Sequence, residues 1–97
     1  MTLKLKKGGL VVSCQARADN PLHGAHFMGA MALAARDGGA CAIRANGVAD
    51  VRAVKEAGLP VIGIDKQFSD AVPVYITPTL AACDALAEAG ADIIGID

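Results

Sequence analysis

A lysine at the end of an apolar strand is a candidate base, and this chain has one. The run "VIGIDKQ" is apolar from Val61 to Ile64 and then meets Asp65 and Lys66. Two other apolar runs end on polar side chains suited to holding oxygen atoms: Gln15 closes "VVSCQ" and Arg44 sits in "AIRAN". An amine moves protons, while arginine and glutamine grip oxygens through directed hydrogen bonds. Side chains alternate across a strand, so Lys66 shares a face with Ile64 and Ile62 while Asp65 faces the other way. Gln15 likewise shares a face with Ser13 and Val11. If one face looks into a common mouth, Gln15, Arg44 and Lys66 converge there. An arginine beside it and partial desolvation would then make the lysine a better base. Asp97 and Asn46 end two of the runs and complete the set of polar strand ends. The competing reading is that these are ordinary polar residues where strands meet solvent.

Those residues need a scaffold that brings strand ends together. Four runs read as strands, at 9–15, 40–45, 60–66 and 91–97, each near-continuously apolar, as strands covered on both faces are. Between them lie three helical stretches. Residues 26–39 carry Phe27, Met28, Met31, Leu33 and Ala35 and stop at Gly38-Gly39, and residues 48–60 carry Val48, Val51, Val54 and Ala57 before Gly58 and Pro60. Residues 77–90 offer Thr77 or Thr79 as N-cap, with Thr77 favoured as a cap over a ligand contact, and end at Gly90. Alternating strands and helices imply a parallel sheet with right-handed crossovers. "AGLPVIGID" and "AGADIIGID" echo each other, and "GGACAIRAN" is a looser copy. Aligned on their glycines, Ile43, Ile62 and Ile94 coincide, as do Asn46, Asp65 and Asp97. Such βα repeats suit a (β/α) barrel or a doubly wound, flavodoxin-like sheet. A complete (β/α)8 barrel takes about 250 residues, so 97 residues amount to about half of one. Residues 1–97 are expected to form that one half-barrel domain without a linker, its sheet edges needing partners.

Composition narrows the function classes. Hydrophobic residues make up 54% and only three residues are aromatic, so the core is Ala, Val, Ile and Leu. Net charge is −1, and the densest basic run is Lys4, Lys6 and Lys7, which gives nucleic-acid binding no support. No stretch resembles a signal peptide or a membrane span, so a soluble cytoplasmic protein with no membrane partner is expected. Cys14, Cys41 and Cys83 are odd in number and widely spaced, which suits small buried hydrophobes better than a disulfide framework or zinc site. His23 and His26 form H-x-x-H without a third ligand nearby, so no metal is expected. Nucleotide-binding fingerprints are absent. Arg36-Asp37 and Lys55-Glu56 read as solvated helix ends.

The residues so far also carry a resemblance. "GGLVVSCQ", "AIRANGVADVRAVKEAGLPVIGIDK" and "VYITPT" resemble the N-terminal half of N-acetylmannosamine-6-phosphate 2-epimerases, in order and over nearly the whole chain. The resemblance implies a TIM barrel of the ribulose-phosphate-binding type. It also implies interconversion of N-acetylmannosamine 6-phosphate and N-acetylglucosamine 6-phosphate in sialic acid catabolism, by proton abstraction and return at C2, with no cofactor. On that resemblance Lys66 is the acid/base residue, and Gln15 and Arg44 bind substrate, as does Asp97 at the end of the fourth strand. The partners implied are a phosphorylated amino sugar and a second copy of the chain. The sequence departs from the family pattern in having Asp65 before the lysine and Gln67-Phe68 after it. The family's carboxylate partner for the lysine and its phosphate site belong to the second half, so the 97 residues alone are expected to be inactive. Two alternatives accompany this reading: a Schiff-base aldolase or lyase using Lys66 on a related barrel, and a non-catalytic half-barrel that pairs with itself.

Overall fold

The computed structural model describes residues 5–71 and 73–97, so Lys4 of the basic run lies outside the described residues. The order is β1 (Val11–Cys14), α1 (Ala25–Asp37), β2 (Ala42–Asn46), α2 (Val48–Val54), a 3-10 turn (Lys55–Ala57), β3 (Val61–Ile64), α3 (Leu80–Ala89) and β4 (Ile93–Ile94). All four strands are parallel and lie in sequential order, β1-β2-β3-β4. A doubly wound sheet reverses its strand order at a switch point. This sheet has no reversal, and crossovers of one hand carry the helices to one face. The flavodoxin-like alternative is thereby excluded.

The helix-covered face is the core. Cys14, Ile43, Ala45 and Val61 from the strands meet Met28 and Ala32 of α1, Val51 and Val54 of α2, and Leu86 of α3. Ile43, Val51, Val54, Val61 and Leu86 are fully buried, and each such aliphatic side chain contributes about 1.5–3 kcal/mol through removal from water. Gly63 lets α2 and α3 approach: a Cβ there would stand 2.9 Å from the Ala91 Cβ and 3.3 Å from Val51. The three glycines of the sequence echo, Gly39, Gly58 and Gly90, all take positive φ, of 100°, 77° and 107°. They turn each helix back into the next strand, in a region that L side chains rarely adopt. The echo does not extend to register, because Ile43 pairs with Val61 and Ile62 with Ile93.

The strands are shorter than the apolar runs, and Gln15, Lys66 and Asp97 all lie beyond strand ends. Apolar patterning reports burial, whereas a strand needs a paired backbone. Beyond β3 the backbone pairs elsewhere. Lys66 N–H donates to Asn46 Oδ1 (2.9 Å), and Asp65 N–H to Thr77 Oγ1 (3.1 Å). The chain then doubles back: Lys66 bridges Ile76 in antiparallel fashion, Gln67 N–H donates to the Tyr75 carbonyl and Thr77 N–H to that of Asp65, each at 2.7 Å.

Thr79, and not Thr77, caps α3, accepting from the Ala82 N–H at 3.1 Å. Thr77 has a different task. It is 5% exposed, holds a left-handed φ of 49°, and its hydroxyl donates to the Gly95 carbonyl at 2.6 Å while accepting from Asp65. It fastens the end of β3 to the end of β4. Lys55 is not a free helix-end charge either. Its ammonium meets Asp92 Oδ2 at 2.9 Å, and the same oxygen accepts from the Val61 N–H at 2.8 Å. Burial raises the Asp92 carboxyl, but hydrogen bonds from Lys55 and Val61 and the Lys55 charge outweigh it and hold the group below its ordinary range. Arg36 and Asp37 do lie in solvent, paired with each other at 3.1 Å. Cys14 is buried, which pushes its thiol up, while Cys41 and Cys83 are half-buried and free.

Candidate functional site

A cleft of about 710 Å3 opens beyond the C-terminal ends of the strands. Its walls are the segment after β1 (Gln15–Ala18), the approach to α1 (His23–Ala25), the β2–α2 turn with the first residues of α2 (Asn46–Asp50), and Lys66 with Phe68 after β3. Parallel pairing creates this arrangement, because it sets all the strand ends on one side.

Gln15 and Lys66, two of the sequence-derived candidates, line this cleft together. The alternation expected for "IDKQ" continues past the strand. Lys66 and Phe68 face the cleft, while Gln67 and Asp65 lie on the other side, joined by Gln67 Nε2 donating to Asp65 Oδ2 at 3.0 Å. Asp65 thus has its own partner, and no ion pair joins it to Lys66 among the described residues. Gln15 Nε2 donates to Ser13 Oγ at 2.7 Å. Arg44 lies lower in the sheet, between Ser13 and Ile62 in register and half-buried, and does not line the cleft. Asp97 is exposed; its N–H donates to the Ile76 carbonyl at 3.2 Å, and it too stands outside the cleft wall.

Three cleft residues had no role assigned from the sequence, although Asn46 stood among the polar strand ends and His23 within H-x-x-H. Asn46 is in the wall and holds the Lys66 backbone, orienting the segment that carries the amine. His23 Nδ1 donates to the Ala16 carbonyl at 2.9 Å, which leaves Nε2 free to turn to the cleft. Asp50 lies near His23; burial pushes its carboxyl up, and the His23 charge partly opposes this. Asn46 carried the strand-end signal, but its bond to the Lys66 backbone, 20 residues on, had none. The proximity of His23 to Asp50 carries no local signal, because 27 residues separate them and only folding joins them. His26 lies edge-on to Phe27 with ring centroids 5.6 Å apart. No cluster of His, Cys, Asp or Glu able to hold a metal occurs among the described residues.

A sequentially ordered parallel sheet with helices on one face, and polar side chains gathered beyond its C-terminal edge, defines a chain of the (β/α)-barrel class, here the N-terminal strands of such a barrel. Comparison with known proteins makes the assignment specific. A family model described as "Putative N-acetylmannosamine-6-phosphate epimerase" matches residues 28–97, and the chain belongs to that family. A Clostridium perfringens relative named "Putative N-acetylmannosamine-6-phosphate 2-epimerase" is 49% identical over 96 residues, covering 98% of this chain and 43% of the relative. A relative of the same name from Listeria innocua is 52% identical over 92 residues, covering 94% and 40%. The solved structure of the Clostridium perfringens N-acetylmannosamine-6-phosphate 2-epimerase matches with a TM-score of 0.88 at 48% identity, over 93% of this chain and 40% of that one. The chain therefore spans about two fifths of the length of the relatives it matches.

Proposed function

We propose that this chain supplies the proton-transfer side of an epimerase that interconverts N-acetylmannosamine 6-phosphate and N-acetylglucosamine 6-phosphate, an N-acylglucosamine-6-phosphate 2-epimerase. The observation that carries the reading is the shared cleft of Gln15 and Lys66 at the C-terminal side of the sheet, in a chain about half identical to epimerases over nearly its whole length. Lys66 takes the proton from C2 and a proton returns to the opposite face, inverting that carbon. Gln15 holds a substrate oxygen. Arg44 and Asp97 belong to the same binding surface, reached when the substrate extends past the cleft wall. No cofactor is needed, because the reaction moves only a proton. A charged sugar phosphate does not cross a bilayer unaided, so the site of action is cytoplasmic, and no helix among the described residues is long and apolar enough to span a membrane. A homodimer belongs to the same proposal; exposed Leu10, Val11 and Ile96 flank the outer strands, where the remaining strands of a barrel would pair, and so do not mark its interface.

The test is a chimaera in which this chain replaces the matching 96 residues of the Clostridium perfringens relative. The expected result is C2 epimerisation, with deuterium incorporated at C2 in heavy water, and a drop of roughly 100- to 10,000-fold on Lys66→Ala, the usual weight of a general acid/base group. A folded chimaera without activity, or one in which Lys66→Ala keeps full activity, refutes the reading. Sedimentation mass checks the dimer.

A further inference from the structure

Phe68 is an anomaly for an aromatic side chain: it is 71% exposed, although aromatics usually gain by burial. Its position explains why it is held there. Phe68 lines the cleft beside Lys66, and its ring is stacked on Tyr75, with centroids 4.9 Å apart and planes 21° from parallel. The brace is itself fixed. The antiparallel bridge of Lys66 with Ile76 and the 2.7 Å bond from Gln67 N–H to the Tyr75 carbonyl bring the two rings together from opposite sides of the loop. The exposed ring is therefore a pre-set apolar wall and, among the described residues, the one aromatic side chain of a cleft whose other apolar lining is alanines and Val48.

We propose that Phe68, braced by Tyr75, recognises the acyl group on the substrate's C2 nitrogen; this rests on the epimerase reading above. C2 and the acetyl methyl flank a trans amide as consecutive Cα atoms do, so the methyl stands about 3.8 Å from C2. Residues two apart on an extended chain are about 6.6 Å apart and face the same way. Lys66 and Phe68 line the same cleft, so a substrate seated between them with C2 at the amine has its acetyl methyl on the side of the ring. Contact between a methyl and an aromatic face removes apolar surface from water at no polar cost. The wall separates N-acyl sugars from free amino sugars, which have no methyl to set on the ring and whose ammonium, one bond from C2, stops short of cation–π contact with it.

Nuclear magnetic resonance on the chimaera described above, isotope-labelled only in the part contributed by this chain so that the unlabelled remainder supplies the phosphate site, tests this. With two phenylalanines, one tyrosine and no tryptophan, the aromatic spectrum is simple, and Phe27 on α1 serves as internal control. Titration with N-acetylglucosamine 6-phosphate is expected to shift the Gln15 and Lys66 amides and also the Phe68 and Tyr75 ring signals, and to leave Phe27 in place. Glucosamine 6-phosphate shifts the amides but not the rings. Phe68→Ala is expected to weaken the N-acetyl ligand roughly fourfold or more, the worth of one buried methyl group, and to leave the amino sugar within about twofold. Shifts at Gln15 and Lys66 without ring shifts, or equal weakening of both ligands, overturn the acyl wall and spare the epimerase reading. No shift at Gln15 or Lys66 with either sugar overturns both.

Discussion

Replacing Thr77 with valine removes one hydroxyl and almost no volume, and the structure sets the cost. The hydroxyl donates to the Gly95 carbonyl at 2.6 Å and accepts from the Asp65 N–H at 3.1 Å, at a residue only 5% exposed. Valine leaves both backbone groups without that partner. An orphaned buried group costs about 1–3 kcal/mol; Asp65 and Gly95 are half-buried, so water recovers part of the loss and the low end applies to each. The sum is about 2 kcal/mol. The left-handed φ of 49° is equally unfavourable for threonine and valine, both β-branched, so strain cancels in the comparison. At about 4–8 °C per kcal/mol for a domain of this size, the midpoint of thermal unfolding should fall by roughly 8–16 °C. Urea and thermal unfolding followed by circular dichroism measure it, with Thr77→Ser as the control that keeps both bonds and stays within about 1 kcal/mol of the parent. Because Thr77 N–H also bonds Asp65, the loss loosens the doubled-back segment that carries Lys66 and Phe68, and ligand binding should weaken in parallel. A Thr77→Val protein within about 0.5 kcal/mol of the parent would refute the idea that this hydroxyl joins the ends of β3 and β4.

Other perturbations follow from the same structure. Asp92→Ala takes away the acceptor of the buried Val61 N–H and the partner of Lys55, and should cost about 1–3 kcal/mol in urea unfolding. Asp92→Asn keeps an acceptor for Val61 and isolates the charge. Since the folded Asp92 carboxyl is held low, its contribution is present above the unfolded value near 3.9 and is lost as pH falls through the folded one; the parent's advantage over Asp92→Asn should shrink across that acid range, and a pH-independent difference would count against the ion pair. Gly63→Ala drives a Cβ to 2.9 Å from that of Ala91, a backbone-fixed atom that cannot rotate aside, and should destabilise by about 1–3 kcal/mol.

How much of this was legible beforehand depended on the residue. The α1 and α2 segments were plain, because a 3.6-residue apolar rhythm and a terminating glycine are local signals and the core merely completes them. Lys66 and Gln15 were legible for a related reason: an apolar run that breaks into a polar side chain marks the end of a buried strand. Thr77 misled, since a threonine before a helix reads as a cap until the Gly95 carbonyl, 18 residues away, is seen to occupy its hydroxyl. Lys55 misled in the same way, its partner Asp92 lying 37 residues on. The meeting of His23 with Asp50, and of Phe68 with Tyr75, could not be read from spacing at all.

The sequence by itself determined the βα order, the parallel sheet, the glycine turns and the family, because these rest on periodicity, backbone permissiveness and motif order, all encoded within short windows. Tertiary structure alone decided which strand-end residues share a cleft. Gln15 and Lys66 do, while Arg44, half-buried between Ser13 and Ile62, does not. Register causes the difference. Where a strand stops depends on what its neighbours' backbones and the returning loop can hydrogen-bond, and that is a property of the assembled sheet.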